Sequence, residues 1–183
     1  EEGAPWPEDL NKGRVAYLAK DLNNLDNCHN YRPLLVLPVL YRQWGKLRLQ
    51  TLAPWLEEWR LDEMFAGNGA NGAEDAWYTT SLQLERASLK GISVTGGTAD
   101  IYKCFDQVLR QLLRVLLVKG GMPLRVVEPH MAYMDTLQLH NTVANTLGTP
   151  YGIEAGIPQG CPLSMMFIAF LLRPWISKMR EIG

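Results

Sequence analysis

Residues 100–106 read Asp100-Ile101-Tyr102-Lys103-Cys104-Phe105-Asp106. Residues 92–101 before them are rich in β-branched side chains and predict a strand, although a glycine pair in its middle weakens the pattern. Residues 107–119 repeat apolar side chains at helical spacing and end at a second glycine pair, which is a C-terminal cap signal. The stretch therefore predicts a strand-to-helix junction, with Asp100 at the strand end, where a carboxylate can project into a cleft.

The two aspartates of this junction are expected to have separate roles. Six residues of strand span about 20 Å, and positions six apart do not share a helix face. Asp100 and Asp106 are therefore not expected to bind one metal ion together. Asp106 is expected to cap the helix that begins at Gln107. Asp100 is a candidate cleft residue, and its ordinary alternative is an exposed surface carboxylate.

A glycine- and proline-rich segment is the second feature, and residues 156–164 read Gly156-Ile157-Pro158-Gln159-Gly160-Cys161-Pro162-Leu163-Ser164. It predicts a fixed turn ahead of a helix. Gly160 would let another chain segment or a ligand approach the backbone closely, and Gln159 offers both a donor and an acceptor. The alternative is a purely structural turn in which Ser164 caps the following helix.

The N-terminal region supplies two basic residues. Lys20 ends a strand predicted over residues 14–20, and Arg32 follows an Asn- and Asp-rich loop within Asn30-Tyr31-Arg32-Pro33. Lysine and arginine on either side of such a loop can bind phosphates, arginine through a bidentate fork. Their ordinary alternative is a solvated surface.

The remaining pattern mixes helices and strands. Helices are predicted from residue 39 with a restart at Pro54, over 74–90, after Pro123 and over 164–180, and strands over 137–143 and 150–154. A Gly/Asn loop is predicted over 67–72. Helices that alternate with strand pairs, rather than strict βαβ units, indicate an α+β fold.

Composition excludes some classes of protein. The 183 residues are 47% hydrophobic with a formal net charge of −1, so no overall basic surface is expected, although a neutral protein can still carry a basic groove. Three well-separated cysteines indicate a reduced, intracellular setting rather than a disulfide framework. No apolar run reaches the ~18 residues of a membrane span. We expect a soluble intracellular protein with no membrane partner.

Taken in order, these segments resemble the polymerase domain of reverse transcriptases, particularly those of non-long-terminal-repeat retrotransposons and group II introns. Residues 30–33 resemble the opening motif of that family, and residues 100–106 resemble its Asp-x-x-x-Ala-Phe-Asp motif. Residues 156–164 resemble its Gly-x-Pro-Gln-Gly-x-x-x-Ser motif, and Glu74-Asp75-Ala76 resembles the Asp-Ala that opens a helix between them. The resemblance spans residues 14–175.

The resemblance implies reverse-transcriptase fingers and a partial palm, with an incomplete ferredoxin-like palm sheet. The implied parts are fingers over 1–90, the first part of the palm over 91–120, a second excursion of the fingers over 121–150, and the second, truncated part of the palm over 151–183. The implied activity is RNA-directed DNA polymerisation, which transfers nucleotides from dNTPs to a primer 3′-hydroxyl. The implied partners are an RNA template and a DNA primer.

The resemblance also assigns roles to residues. It implies a two-metal Mg²⁺ site, since two such ions can clamp the attacking and leaving oxygens of an in-line displacement. Phe105 would lie below the sugar and reject a 2′-hydroxyl, and its ordinary alternative is core packing. The implied set is Asp100 and the backbone carbonyl of Ile101 for the metal, Phe105, Gln159 and Gly160 for the nucleotide pocket, and Lys20 and Arg32 for the triphosphate.

Departures from the family pattern shape a second hypothesis. The arginine-bearing stretch before the Asp-Ala helix is replaced by uncharged residues over 66–73, Cys104 replaces the usual Ala, and Met165 replaces the usual Pro. No paired-aspartate motif follows Ser164. We therefore expect the isolated chain to be inactive, with the second carboxylate motif supplied C-terminal to Gly183 in the parent polymerase or polyprotein. The alternative is a non-catalytic reverse-transcriptase-like domain that binds RNA or protein.

Overall fold

Helices and strands alternate in groups along the chain, which confirms the predicted α+β class. The computed structural model describes residues 4–67, 72–144 and 146–182. Its helices are α1 (Val39–Thr51), α2 (Ala53–Trp59), α3 (Ala73–Leu89), α4 (Arg110–Lys119), α5 (Leu124–Thr136) and α6 (Ser164–Ile182). Its strands are β1 (Lys12–Ala19), β2 (Tyr31–Val36), β3 (Gln138–Val143), β4 (Thr146–Leu147) and β5 (Tyr151–Gly152). None of the helices within these ranges is long and apolar enough to cross a membrane.

The sheet is small and mixed. β1 pairs antiparallel with β2 and parallel with β3, and β3 also pairs antiparallel with β4 and β5. The predicted strand at 14–20 and the predicted pair at 137–143 and 150–154 are thereby confirmed. The β1–β2 connection is held by the Asn30 side-chain amide, which donates to the carbonyls of Asp21 at 2.6 Å and Asn24 at 2.7 Å. This hairpin supports the site described below.

One hydrophobic core lies between the sheet and the helices. Its centre is aromatic, and Tyr41 of α1 stacks on Tyr133 of α5 with ring centroids 3.5 Å apart. Trp55 and Trp59 of α2 pack against Phe170 of α6. Each large apolar side chain buried in this way stabilises the fold by roughly 1.5–3 kcal/mol relative to exposure. We call the sheet with α1, α2, α4, α5 and α6 the packed body.

Residues 73–103 form a contrasting region, which we call the exposed arm. It begins with α3, which buries no residue. The Asp75 carboxylate accepts the Gly72 N–H at 2.7 Å at the start of the helix, and Gly91 follows its end with φ +61°. The predicted helix at 74–90 is confirmed. The predicted Gly/Asn loop before it falls largely on residues 68–71, outside the described residues.

The predicted strand at 92–101 is wrong. These residues are irregular, and every one of them is exposed. A strand is stable only when its N–H and C=O groups pair with a neighbour, and none of the described strands pairs with this segment. Alternating β-branched residues therefore signalled a strand that has no partner here.

The predicted cap at Asp106 is also wrong. α4 begins at Arg110, and the residue before it makes no side-chain capping bond. Residues 103–106 instead form a turn in which the Asp106 N–H donates to the Lys103 carbonyl at 2.9 Å. The Val108 carbonyl, which a helix beginning at Gln107 would use in its first turn, instead accepts the Gly156 N–H at 2.8 Å. A long-range contact has displaced the local cap.

Candidate functional site

A cleft of about 390 Å³ lies where β2, α1 and the 156–164 turn meet. It brings together three of the residues selected from the sequence, Phe105, Gln159 and Gly160. The full lining is Leu34, Leu35 and Val36 of β2, Arg42 of α1, Phe105, Gln159, Gly160 and Met165. Most of the wall is apolar, with one cationic side chain and one amide.

Two glycines fix the turn that forms one side of the cleft. Gly160 has φ +124°, and a Cβ there would lie 2.6 Å from the Leu35 carbonyl oxygen. Gly156 has φ +85°, and a Cβ there would lie 2.9 Å from the Asp106 Cα. Only glycine tolerates both conditions without strain. The close approach expected at Gly160 is therefore made by the backbone of β2.

Backbone hydrogen bonds join this turn to the segment that carries Phe105. The Ile157 N–H donates to the Phe105 carbonyl at 2.9 Å, and the Gly156 N–H donates to the Val108 carbonyl at 2.8 Å. Phe105 itself is half-buried, with its ring packed against the core. Segments distant in sequence are thus locked together at the cleft wall.

Arg110 anchors the same turn from below. The residue is 7% exposed. Its Nε donates to the Gly156 carbonyl at 2.9 Å, and its Nη1 donates to the Met134 carbonyl at 3.0 Å. Burial lowers the pKa of the guanidinium, and the Asp135 carboxylate at 3.5 Å opposes that shift. Sequence reasoning missed this residue. The sequence signal that could have found it is its position three residues before Leu113, which places both residues on the buried face of α4.

A buried polar group underlies the turn at Cys161. Tyr41 Oη lies 2.8 Å from His130 Nδ1 and 3.5 Å from Cys161 Sγ. Burial, with a contribution from Arg110, lowers the pKa of His130 to about 3, so its imidazole is neutral. Burial also raises the pKa of Cys161, which keeps it a thiol. This neutral cluster positions the turn and was not visible as a motif.

Lys20 and Arg32 lie on the β1–β2 hairpin, outside the cleft lining. Leu18 is opposite Arg32 in the register. Side chains two apart on a strand share a face, so Arg32 lies on the face of β2 that carries Leu34 and Val36. Lys20 Nζ donates to the His29 carbonyl at 3.1 Å. Both basic residues thus project from one hairpin whose inner end forms the cleft wall.

Asp100 and Ile101 are not among the residues that line the cleft. Ile101 lines a separate, apolar depression of about 250 Å³ between the start of α4 and α6. Asp100 is exposed. The pKa of Cys104 is raised, mainly because the thiol is partly buried and secondly because of the negative charge of Asp100. Within the described ranges, no three His, Cys, Asp or Glu side chains converge as a metal site would require.

No protein-family model matches the chain, and a search of curated proteins finds no significant match. An apolar wall, an aromatic ring, an amide and a guanidinium suit a ligand with a flat or ring-shaped part and an anionic part.

Proposed function

We propose that the chain is part of an RNA-directed DNA polymerase of the reverse-transcriptase type, and that the cleft binds the incoming dNTP. One observation carries the proposal. Phe105 and the Gln159-Gly160 pair come from separate motifs far apart in sequence, and they line one cleft together with β2. Chance motif matches would not be expected to share a cleft.

Within this proposal, each cleft residue contacts a different part of the nucleotide. Phe105 lies below the sugar and disfavours a 2′-hydroxyl by steric clash, which is discrimination against the wrong substrate. Gln159 hydrogen-bonds the nucleotide, and Gly160 brings β2 close enough to close the pocket. Lys20 and Arg32 project from the hairpin toward the triphosphate, where opposite charge attracts the substrate.

The proposed fold is reverse-transcriptase fingers and a partial palm, with the boundaries given above at residues 90, 120 and 150. Asp100 and the Ile101 carbonyl are proposed as part of the Mg²⁺ site, which also requires carboxylates beyond the described residues. The primer 3′-hydroxyl attacks the α-phosphate of the dNTP, and pyrophosphate leaves.

One observation favours the second candidate function, a non-catalytic domain that binds RNA or protein. The sequence over 66–73 is uncharged, where the family pattern has an arginine-bearing stretch. A domain that had lost polymerisation would retain the hairpin cations, which bind phosphates without any metal.

Equilibrium binding of dATP to the chain tests the proposal. We expect Phe105→Val to narrow the preference for dATP over ATP, because the smaller side chain leaves room for the 2′-hydroxyl. Tyr102→Val is the matched control, since Tyr102 is an exposed aromatic residue in the same segment and lies outside the cleft. RNA binding without measurable dATP binding would instead support the second candidate.

A further inference from the structure

Arg42 of α1 is a half-buried cation in the cleft that the sequence motifs did not select. Its Nε is buried and has no hydrogen-bond partner. Among the residues that the structure describes, no carboxylate forms an ion pair with it. A buried N–H without a partner is costly, so an anion that reaches Nε from the cleft would be stabilised there.

Three other shielded arginines of the packed body have side-chain partners, although Nη2 of Arg110 is, like Nε of Arg42, buried without a hydrogen bond. Arg60 pairs with Glu57 at 3.0 Å, Arg110 binds two carbonyls, and Arg173 Nε donates to the Trp59 carbonyl at 2.7 Å. Arg60 and Arg173 are half-buried and Arg110 is buried. Arg42 differs because its surroundings in the cleft are apolar side chains, an amide and backbone, with no acidic residue.

The packing of α1 places Arg42 beside the 156–164 turn. A Cβ on Gly45 would lie 3.3 Å from the ring of Pro162, so this face of α1 lies directly on the turn. Arg42 is one helical turn before Gly45 and therefore lies next to Gln159 and Gly160. Its side chain therefore forms part of the cleft wall.

We propose that Arg42 binds a phosphate group of a ligand seated in the cleft. The inference rests on the proposed function and deepens it, since it adds a phosphate contact separate from Lys20 and Arg32. A guanidinium binds phosphate in a bidentate manner and is always charged. The phosphate can belong to a nucleoside triphosphate or to the backbone of a nucleic acid, and the chemistry at Arg42 is the same.

Binding of three probes to the chain tests this inference. The probes are inorganic tripolyphosphate, dATP and a primed RNA template, each titrated without added metal so that Arg42 is measured alone. We expect Arg42→Gln to weaken binding of at least one probe by roughly tenfold or more, as loss of a charge-assisted hydrogen bond implies. Arg42→Lys should restore part of the loss because it keeps the charge.

Lys46→Gln is the matched control. It removes one positive charge from the same helix at an exposed position outside the cleft, and it should leave the affinity for tripolyphosphate and dATP within about twofold of wild type, as a screened surface charge does. Thermal unfolding of each variant confirms that the fold is retained. If Arg42→Gln does not fold, Arg42→Lys carries the comparison, since it must then bind more weakly than Lys46→Gln.

The pattern across probes identifies the source of the phosphate. Loss for tripolyphosphate and dATP assigns Arg42 to a triphosphate, and loss confined to the primed template assigns it to a nucleic-acid backbone. Equal affinity of wild type and both Arg42 variants for all three probes overturns the inference, as does failure of wild type to bind any of them.

The two proposals can fail separately. Binding of dATP that requires Arg42 but is unaffected by changes at Phe105 and Gln159 would keep the phosphate site and reject the polymerase pocket. Binding that requires Phe105 but not Arg42 would do the reverse.

Discussion

The packed body and the exposed arm contain the same kinds of residues with opposite outcomes. Trp55 in α2 is 7% exposed, whereas Trp77 in α3 is 75% exposed. Both helices have apolar residues at helical spacing, and both form. The pattern of a helix therefore predicts that it exists but does not predict that its apolar side is covered, because burial needs a second segment to pack against.

Tryptophan truncation should show the largest contrast between the two regions. Trp55→Ala should lower the free energy of unfolding by about 3–5 kcal/mol, since it removes core packing and the hydrogen bond from Trp55 Nε1 to the Gly120 carbonyl at 2.7 Å. Trp77→Ala should change it by less than about 0.5 kcal/mol. Denaturant titration of both variants measures the difference.

Folded domains are typically stable by roughly 5–15 kcal/mol, so the Trp55→Ala variant is expected to be only marginally stable. Trp55→Phe therefore provides a milder version of the same change. Equal losses at Trp55 and Trp77 would mean that the arm packs against the body, and the distinction between the regions would be lost.

Glycine substitution should give the next largest contrast. Gly160→Ala places a Cβ 2.6 Å from a carbonyl oxygen at a positive φ, and such backbone strain costs of order 1–3 kcal/mol. Gly97→Ala in the arm meets no atom within 4 Å and should be neutral or slightly stabilising. Thermal unfolding measures both, and a destabilising Gly97→Ala would indicate an unseen close contact in the arm.

The same contrast explains which sequence predictions succeeded. Helices α1, α2, α3, α5 and α6 have strong local signals, such as Pro54 in the first turn of α2 and Gly91 after α3, and these signals acted locally as expected. The strand at 92–101 was wrong because strand formation depends on a partner that no local pattern reveals. The cap at Asp106 was wrong because the Gly156 N–H bonds to the Val108 carbonyl, which the predicted helix would have used.

The candidate site shows a similar division. Phe105, Gln159 and Gly160 stood out as members of motifs, and the fold brings them to one cleft. Arg42 and His130 stood out in no motif, because an arginine on an amphipathic helix and a histidine among apolar residues have no distinctive spacing. Their environment becomes visible only when separate segments have packed together.

Low pH should lower the free energy of unfolding of the packed body. The pKa of His130 is lowered from 6.5 to about 3 in the fold, so between these values the unfolded chain binds a proton that the folded chain does not. Stability is therefore fully present above about pH 6.5 and is lost as the pH falls toward 3, at a slope of up to about 1.4 kcal/mol per pH unit. Denaturant titrations between pH 7 and 4 measure this slope.

His130→Gln should reduce the slope of the unfolding free energy against pH, because glutamine gains no proton in this range. His29→Gln is the control, since His29 is exposed on the hairpin. An unchanged slope in His130→Gln would show that another group senses the acid.

The smallest expected effect is the most discriminating, because it asks whether the arm is coupled to the body at all. The Asp75 carboxylate accepts the Gly72 N–H at 2.7 Å and places negative charge in the first turn of α3, where it interacts favourably with the helix dipole. Asp75→Ala should destabilise α3 locally by about 1 kcal/mol. Because α3 buries no residue, this loss should not reach the global unfolding transition. Hydrogen exchange should therefore quicken at the amides of α3 and stay unchanged in α5, with no shift in Tm.

Glu74→Ala is the matched control, since it removes a neighbouring first-turn carboxylate that makes no bond to Gly72, and it should have a smaller effect on α3. A drop in Tm or faster exchange in α5 on Asp75→Ala would show that the arm unfolds together with the body, and the two regions would then be one cooperative unit.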